Sequence, residues 1–134
     1  MAIQKSLGLL LDTHAFLWWV EGSGDLPATA VKSIKKAKTV YLSVASCWEL
    51  AIKVSRGKLK LTKSVEAFVS EHLAANGFEL LDIGLNHIGR VEKMPFQHND
   101  PFDRLIIAQA LALNLAVVTA DGVFPKYKGL QIVW

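Results

Sequence analysis

A three-layer α/β/α domain with a mainly parallel central sheet is the fold class this chain predicts. The first observation behind it is order: short apolar or β-branched runs alternate with longer segments of helical periodicity. The second is size and composition. The 134 residues are 51% hydrophobic and 20% charged, which excludes a disordered chain and fits one domain spanning 1–134. The alternation implies parallel strands covered by helices on both faces.

The elements follow in order. Residues 7–11 read as a short buried strand and 13–21 as a helix. Gly22-Ser23-Gly24-Asp25 makes a turn, and Pro27 suits the first position of a helix reaching about residue 37. Residues 39–43 (Thr-Val-Tyr-Leu-Ser) are β-branched and aromatic, hence a strand. A helix over 45–56 is stopped by Gly57, and Val65, Phe68, Val69, His72 and Leu73 give 64–76 helical spacing up to Asn76-Gly77. Residues 78–83 predict a strand, 86–93 a short helix, and 94–99 a polar loop with Pro95. A strongly apolar helix over 101–113 precedes strands at 115–119 and 130–133.

Several function classes are set aside by composition. The apolar runs fall far short of the ~18 residues a membrane helix needs. Lys5 and the stretch Leu7 to Leu11 superficially resemble a signal peptide. However, Asp12 and His14 break the run and no small-residue cleavage site follows, so a cytoplasmic protein is expected. Cys47 is the only cysteine, which leaves no disulfide framework or thiolate zinc cluster; a packed core thiol is expected. A net charge of +3 with 15 Lys and Arg permits a polyanionic partner without requiring one.

Four acids sit where apolar runs end: Asp12 after Leu9-Leu10-Leu11, Glu49 beyond Val40-Tyr41-Leu42, Asp103 before Leu105-Ile106-Ile107, and Asp121 after Val117-Val118-Thr119. Each has an ordinary explanation. Asp12 suits a helix N-cap, Ser46 with Glu49 matches a capping box, Glu49 precedes Lys53 at ion-pair spacing, and Asp121-Gly122 reads as a turn. Asp100-Pro101-Phe102-Asp103 reads as a helix start, with Asp100 as its cap and Asp103 inside the helix. Topology nevertheless gathers all four. Ligands of open parallel sheets bind beyond the carboxyl ends of the strands, and that edge is where these residues fall. Buried carboxylates need partners, and a hard divalent cation such as Mg²⁺ or Mn²⁺ relieves the repulsion among several. Such ions bind phosphate oxygens and activate water, which points to phosphodiester hydrolysis.

Other polar residues carry less. His14, His98 and Asn99 are isolated, and no histidine pair has zinc-ligand spacing. Trp18, Trp19 and Trp48 fit either core packing or a partner surface. A Mg²⁺-dependent phosphatase or phosphotransfer domain shares the architecture. It wants a second aspartate two residues after the first, where this chain has His14, or an acidic pair near the first strand. A non-enzymatic interaction module on the same scaffold is the other alternative.

Four segments together resemble the PIN-domain nucleases, and more closely the VapC-like toxins of bacterial toxin–antitoxin pairs. They are Leu10-Leu11-Asp12-Thr13-His14-Ala15-Phe16-Leu17-Trp18-Trp19, Ser43-Val44-Ala45-Ser46-Cys47-Trp48-Glu49-Leu50-Ala51-Ile52-Lys53, Asp100-Pro101-Phe102-Asp103-Arg104-Leu105-Ile106-Ile107-Ala108-Gln109-Ala110 and Val118-Thr119-Ala120-Asp121. Their order and spacing match across nearly the whole chain. The resemblance implies a PIN-like fold and a Mg²⁺- or Mn²⁺-dependent ribonuclease with an RNA substrate, a cognate antitoxin partner and a homodimer. It implies Asp12, Glu49 and Asp103 as the core metal-binding acids, Asp121 as a more variable fourth, and Thr119 as a hydroxyl near the metal. Asp100, one helical turn from Asp103, stays open as the third acid. Lys53 and Arg104 are the candidate phosphate contacts, each with a salt bridge to a neighbouring carboxylate as its alternative role.

Overall fold

Strand β1 (Gly8–Leu11) lies at the centre of a five-stranded, all-parallel sheet. The structure is a computed structural model that describes residues 8–134. Leu7 of the expected first strand, and the leader-like Lys5, lie outside the described residues. After β1 come α1 (Thr13–Glu21), α2 (Ala28–Lys36), β2 (Thr39–Ser43), α3 (Val44–Ser55), α4 (Val65–Asn76) and β3 (Glu79–Leu81). The chain continues through α5 (Leu85–Lys93), α6 (Pro101–Leu113), β4 (Ala116–Val118), a 3₁₀ turn at Phe124–Lys126 and β5 (Gln131–Val133). No helix among the described residues is long and apolar enough to cross a membrane.

The strand order is β3-β2-β1-β4-β5, so the chain winds outward from β1 to β3, then returns to the other side of β1 at β4. Register places Leu11 beside Leu42 on one side and Val118 on the other. Winding in opposite directions puts the crossover helices on opposite faces. Period-two alternation then divides the strands' side chains. Leu9, Leu11, Val40 and Leu42 pack on Phe16, Ala30, Ile34 and Val69 from α1, α2 and α4. Leu10 and Val117 pack on Ile106, Ile107, Ala110 and Phe124. Phe16 and Phe124 are fully buried, and truncating either to alanine costs roughly 3–5 kcal/mol.

Helix ends follow local chemistry. Gly22 (φ 64°) and Gly77 (φ 68°) close α1 and α4 in the left-handed conformation that a side chain resists. Pro27 is the N-cap of α2 rather than its first residue: its extended carbonyl accepts the Val31 N–H at 3.0 Å. The capping-box expectation for Ser46 and Glu49 is overturned. Helix α3 begins directly at the end of β2, so Ser43 caps it by accepting the Ala45 N–H at 3.0 Å. Strand β3 is shorter than the 78–83 expected, because β2 ends at Ser43, opposite Leu81, and leaves nothing for residues 82–83 to pair with. Cys47 is half-buried against the core, and burial pushes its thiol up.

Candidate metal centre

The carboxyl ends of β1 and β4 are the point where strand order reverses, and an open cleft of about 450 Å³ lies there. Asp12, Glu49, Asp103 and Asp121 all line it. Three routes bring them in. Asp12 follows β1 directly, and Asp121 comes just past the end of β4 at Val118. Glu49 stands in the helix that leaves β2 at the same edge. Helix α6 carries the chain back to the start of β4, so its first turn, with Asp103, also begins there.

Asp12 and Asp100 keep the capping roles the sequence suggested and Glu49 keeps its ion pair with Lys53, and each also lines the cleft. Asp12 is 7% exposed and caps α1, accepting the Ala15 N–H at 2.8 Å; its own N–H donates to the Val118 carbonyl at 3.1 Å. Burial pushes its carboxyl up, and the nearby Asp121 charge adds to this, against hydrogen bonds from Thr119 and Ala15. Thr119 is 1% exposed and also accepts the Asp121 N–H at 3.0 Å, so this hydroxyl ties the two strand-end acids together.

Glu49 is oriented from two sides. Its Oε1 accepts the Thr13 hydroxyl at 2.6 Å and its Oε2 pairs with Lys53 Nζ at 3.1 Å. Ser46, fully buried, lies 2.9 Å from the same threonine hydroxyl. Thr13 was not singled out in the sequence, and Ser46 only as a capping residue. They sit one residue after Asp12 and one turn before Glu49, and nothing in the spacing of small hydroxyl residues there points to a contact between α1 and α3.

Asp100 and Asp103 divide the work at the start of α6. Asp100 Oδ1 accepts the N–H groups of Phe102 and Asp103 at 2.8 and 3.1 Å, as a cap does, and also lines the cleft. Asp103 Oδ2 faces His98 Nε2 at 3.2 Å. Burial, then the Asp100 charge, raises its carboxyl to about 7; Glu49 and Asp12 add to the rise and His98 opposes it. A carboxyl raised this far by burial, and further by neighbouring carboxylates, favours a partner of positive charge.

His98, an isolated loop histidine in the sequence, bridges two of these acids. Its Nδ1 accepts the Asp100 N–H at 3.1 Å, which assigns the ring proton to Nε2. That N–H points at Asp121 Oδ2 (2.8 Å) and Asp103 Oδ2 (3.2 Å). Asp121 Oδ1 accepts the Val123 N–H at 2.8 Å. Burial pushes Asp121 up, but the Val123 and His98 hydrogen bonds outweigh it and leave the carboxyl below its usual range. The one sequence signal for His98 is position, two residues ahead of the residue that caps the Asp103 helix.

Arg104 is not among the residues that line the cleft. It is 5% exposed, and its guanidinium donates to the carbonyls of Val91 and Pro95 at 3.1 Å each and to Tyr127 Oη at 3.2 Å. It also lies 4.1 Å from the Phe96 ring centre. Its position fastens the 94–99 loop that carries His98. Lys53 does line the cleft, held by Glu49.

The residues fit a hard divalent cation. The donors are carboxylate oxygens, ligand atoms of His98, Asp103 and Asp121 lie within 4.8 Å of one another, and Asp103 is short of positive charge. The N–H of His98 meets part of that demand in this geometry.

The chain matches the PIN domain family over residues 9–130. No curated protein sequence matches it. Among solved structures it is similar to VapBC2 from Rickettsia felis bound to a promoter DNA fragment, with TM-score 0.69 and 18% identity over 93% of this chain and 96% of that one. DNA-bound VapBC from Salmonella typhimurium aligns with TM-score 0.69 and 19% identity, covering 94% and 96%. FitAcB from Neisseria gonorrhoeae aligns with TM-score 0.62 and 18% identity, covering 92% and 95%. At such identities the likeness to these structures is one of fold.

Proposed function

We propose, from the premise that this chain belongs to the PIN-domain family, that it is a Mg²⁺- or Mn²⁺-dependent endoribonuclease and the toxin of a toxin–antitoxin pair. The observation that carries this reading is the shared cleft of Asp12, Glu49, Asp103 and Asp121 at the sheet's switch point. Asp12 and Asp103 would hold the main metal, and Asp121 would support a second ion or a bound water. The cation supplies Lewis acidity and an activated water for phosphodiester hydrolysis.

The chain's own groups do the positioning. Thr119 and the Ala15 N–H fix the Asp12 carboxylate against the end of β1. Thr13 and Lys53 fix Glu49. With both oxygens so occupied, Glu49 orients water rather than leading metal capture. Lys53, a half-exposed cation at the cleft, is placed to meet a phosphate when its pair with Glu49 loosens. Arg104 acts on the substrate only indirectly, through the loop it anchors.

Three further parts of the reading rest on the resemblance of the sequence to the VapC-like toxins: the antitoxin partner, a homodimeric state and a cytoplasmic setting. The test is controlled expression of the wild type beside Asp12→Asn, with sequencing of RNA ends. The wild type is expected to arrest growth and produce new metal-dependent ends, and Asp12→Asn to do neither. A fully active Asp12→Asn chain would sink the reading.

A further inference from the structure

His98 stands among carboxylates as a metal-ligating histidine does, yet its far nitrogen meets the wrong kind of group. A histidine that binds a metal through one ring nitrogen normally donates the other N–H to a carbonyl, carboxylate or water. Here the far nitrogen, Nδ1, accepts the Asp100 N–H at 3.1 Å. The ring proton then belongs to Nε2, which faces Asp121 Oδ2 at 2.8 Å and Asp103 Oδ2 at 3.2 Å, and a protonated ring nitrogen offers no lone pair to a cation. The residue is also clamped. Its backbone N–H donates to Tyr127 Oη at 2.9 Å, and Arg104 donates to the same buried hydroxyl at 3.2 Å. The ring stands edge-on to the fully buried Phe124, with 5.7 Å between centres. Asp121 is committed as well, for Oδ1 accepts the Val123 N–H at 2.8 Å and Oδ2 faces the His98 N–H.

We propose that His98 is a positioning residue whose Nε2–H takes the place of a second cation between Asp103 and Asp121, so that the cleft holds a single divalent ion. This rests on the metal-dependent reading above, and it gives Asp121 the bound water rather than an ion. A cation shared by Asp103 and Asp121 would compete with the ring N–H for the same two oxygens and would be repelled by its partial positive charge. Asp103 keeps Oδ1 for the ion it would share with Asp12. The fixed N–H links two carboxylates without ligating anything itself, and its anchorage in Asp100, Tyr127 and Phe124 ties that link to the start of α6 and to the 3₁₀ turn after β4.

Two measurements on the full chain test this. The first reads the ring directly, by long-range proton–nitrogen NMR of the labelled wild type before and after saturating Mg²⁺. Nε2 is expected to carry the proton and Nδ1 to be bare in both spectra. Loss of the Nε2 proton on adding Mg²⁺, or its transfer to Nδ1, makes His98 a ligand and overturns the proposal. The second counts Mn²⁺ by titration calorimetry near neutral pH, with thermal melting to confirm that each variant is folded. The wild type is expected to bind one ion per chain. His98→Gln, which keeps an N–H donor, should also bind one, and His98→Ala, which frees Asp121 Oδ2, should bind two. Two ions in the wild type, or a count still at one in folded His98→Ala, overturns the proposal while leaving the metal-dependent reading intact. No Mn²⁺ binding by the wild type sinks that reading and this inference with it. If His98→Ala does not fold, the wild-type count and the ring spectra decide.

Discussion

Replacing Asp103 with asparagine should stabilise this protein in the absence of metal while removing the stabilisation that metal brings. The carboxyl titrates at about 7 instead of 3.8, a shift of about 3 units, because it is buried beside Asp100, Glu49 and Asp12. At 1.36 kcal/mol per unit that is about 4 kcal/mol held against the ionised form. The side chain is 21% exposed, and solvent screening reduces the figure to roughly 1–3 kcal/mol. The sign follows from the folded pKa lying above the unfolded one. Asp103's favourable contribution is complete below pH 3.8 and is lost as pH rises through 7. Asparagine carries no charge, still accepts from the His98 N–H, and removes this dependence. Thermal unfolding in EDTA should show Asp103→Asn melting roughly 3–12 °C above the wild type at pH 8, with the two converging near pH 4. Saturating Mn²⁺ should reverse the order, since ligand at a hundredfold over its dissociation constant adds about 2.7 kcal/mol to the form that binds it. An Asp103→Asn chain that melts below the wild type at pH 8 in EDTA, or by the same margin at both pH values, refutes the reasoning.

Mn²⁺ binding should release about one proton at pH 6 and weaken roughly tenfold per pH unit below 7, because Asp103 must ionise to coordinate. Titration calorimetry in buffers of different ionisation enthalpy measures this, and a pH-independent affinity between 5 and 7 contradicts it. His98→Gln, which keeps an N–H donor near the Nε2 position, should retain more metal-dependent cleavage than His98→Ala, which removes the bridge between Asp103 and Asp121; equal losses in the two would point to packing alone. Arg104→Met should lower stability to urea by roughly 2–4 kcal/mol, through the carbonyls of Val91 and Pro95 left without a donor. Unchanged stability with lost RNA binding would instead make Arg104 a direct phosphate contact.

The order of elements was legible in the sequence because burial imposes period. The runs at Leu9-Leu10-Leu11 and Val117-Val118 are apolar at every position because helices cover both faces of the sheet. The boundaries were less so: β3 stops at Leu81 only because its neighbour β2 stops at Ser43, a fact about pairing that residues 78–83 do not contain. Ser46 and Glu49 match a capping box in spacing, yet α3 begins three residues earlier because Ser43 already ends a strand there.

By itself the sequence determined the fold class, the four acids and the edge on which they fall, because strand ends and helix starts are local properties of the chain. It also separated Asp100 as cap from Asp103 inside the helix. Tertiary structure alone decided how those acids are held. Thr13 reaches Glu49 across 36 positions and His98 reaches Asp121 across 23, and neither pairing leaves a periodic trace. It likewise took Arg104 away from the cleft and into the carbonyls of its neighbouring loop, and set Trp134 against Trp18 from the far end of the chain. Local chemistry decides where a side chain sits along an element. Which other side chains it meets depends on how the elements pack.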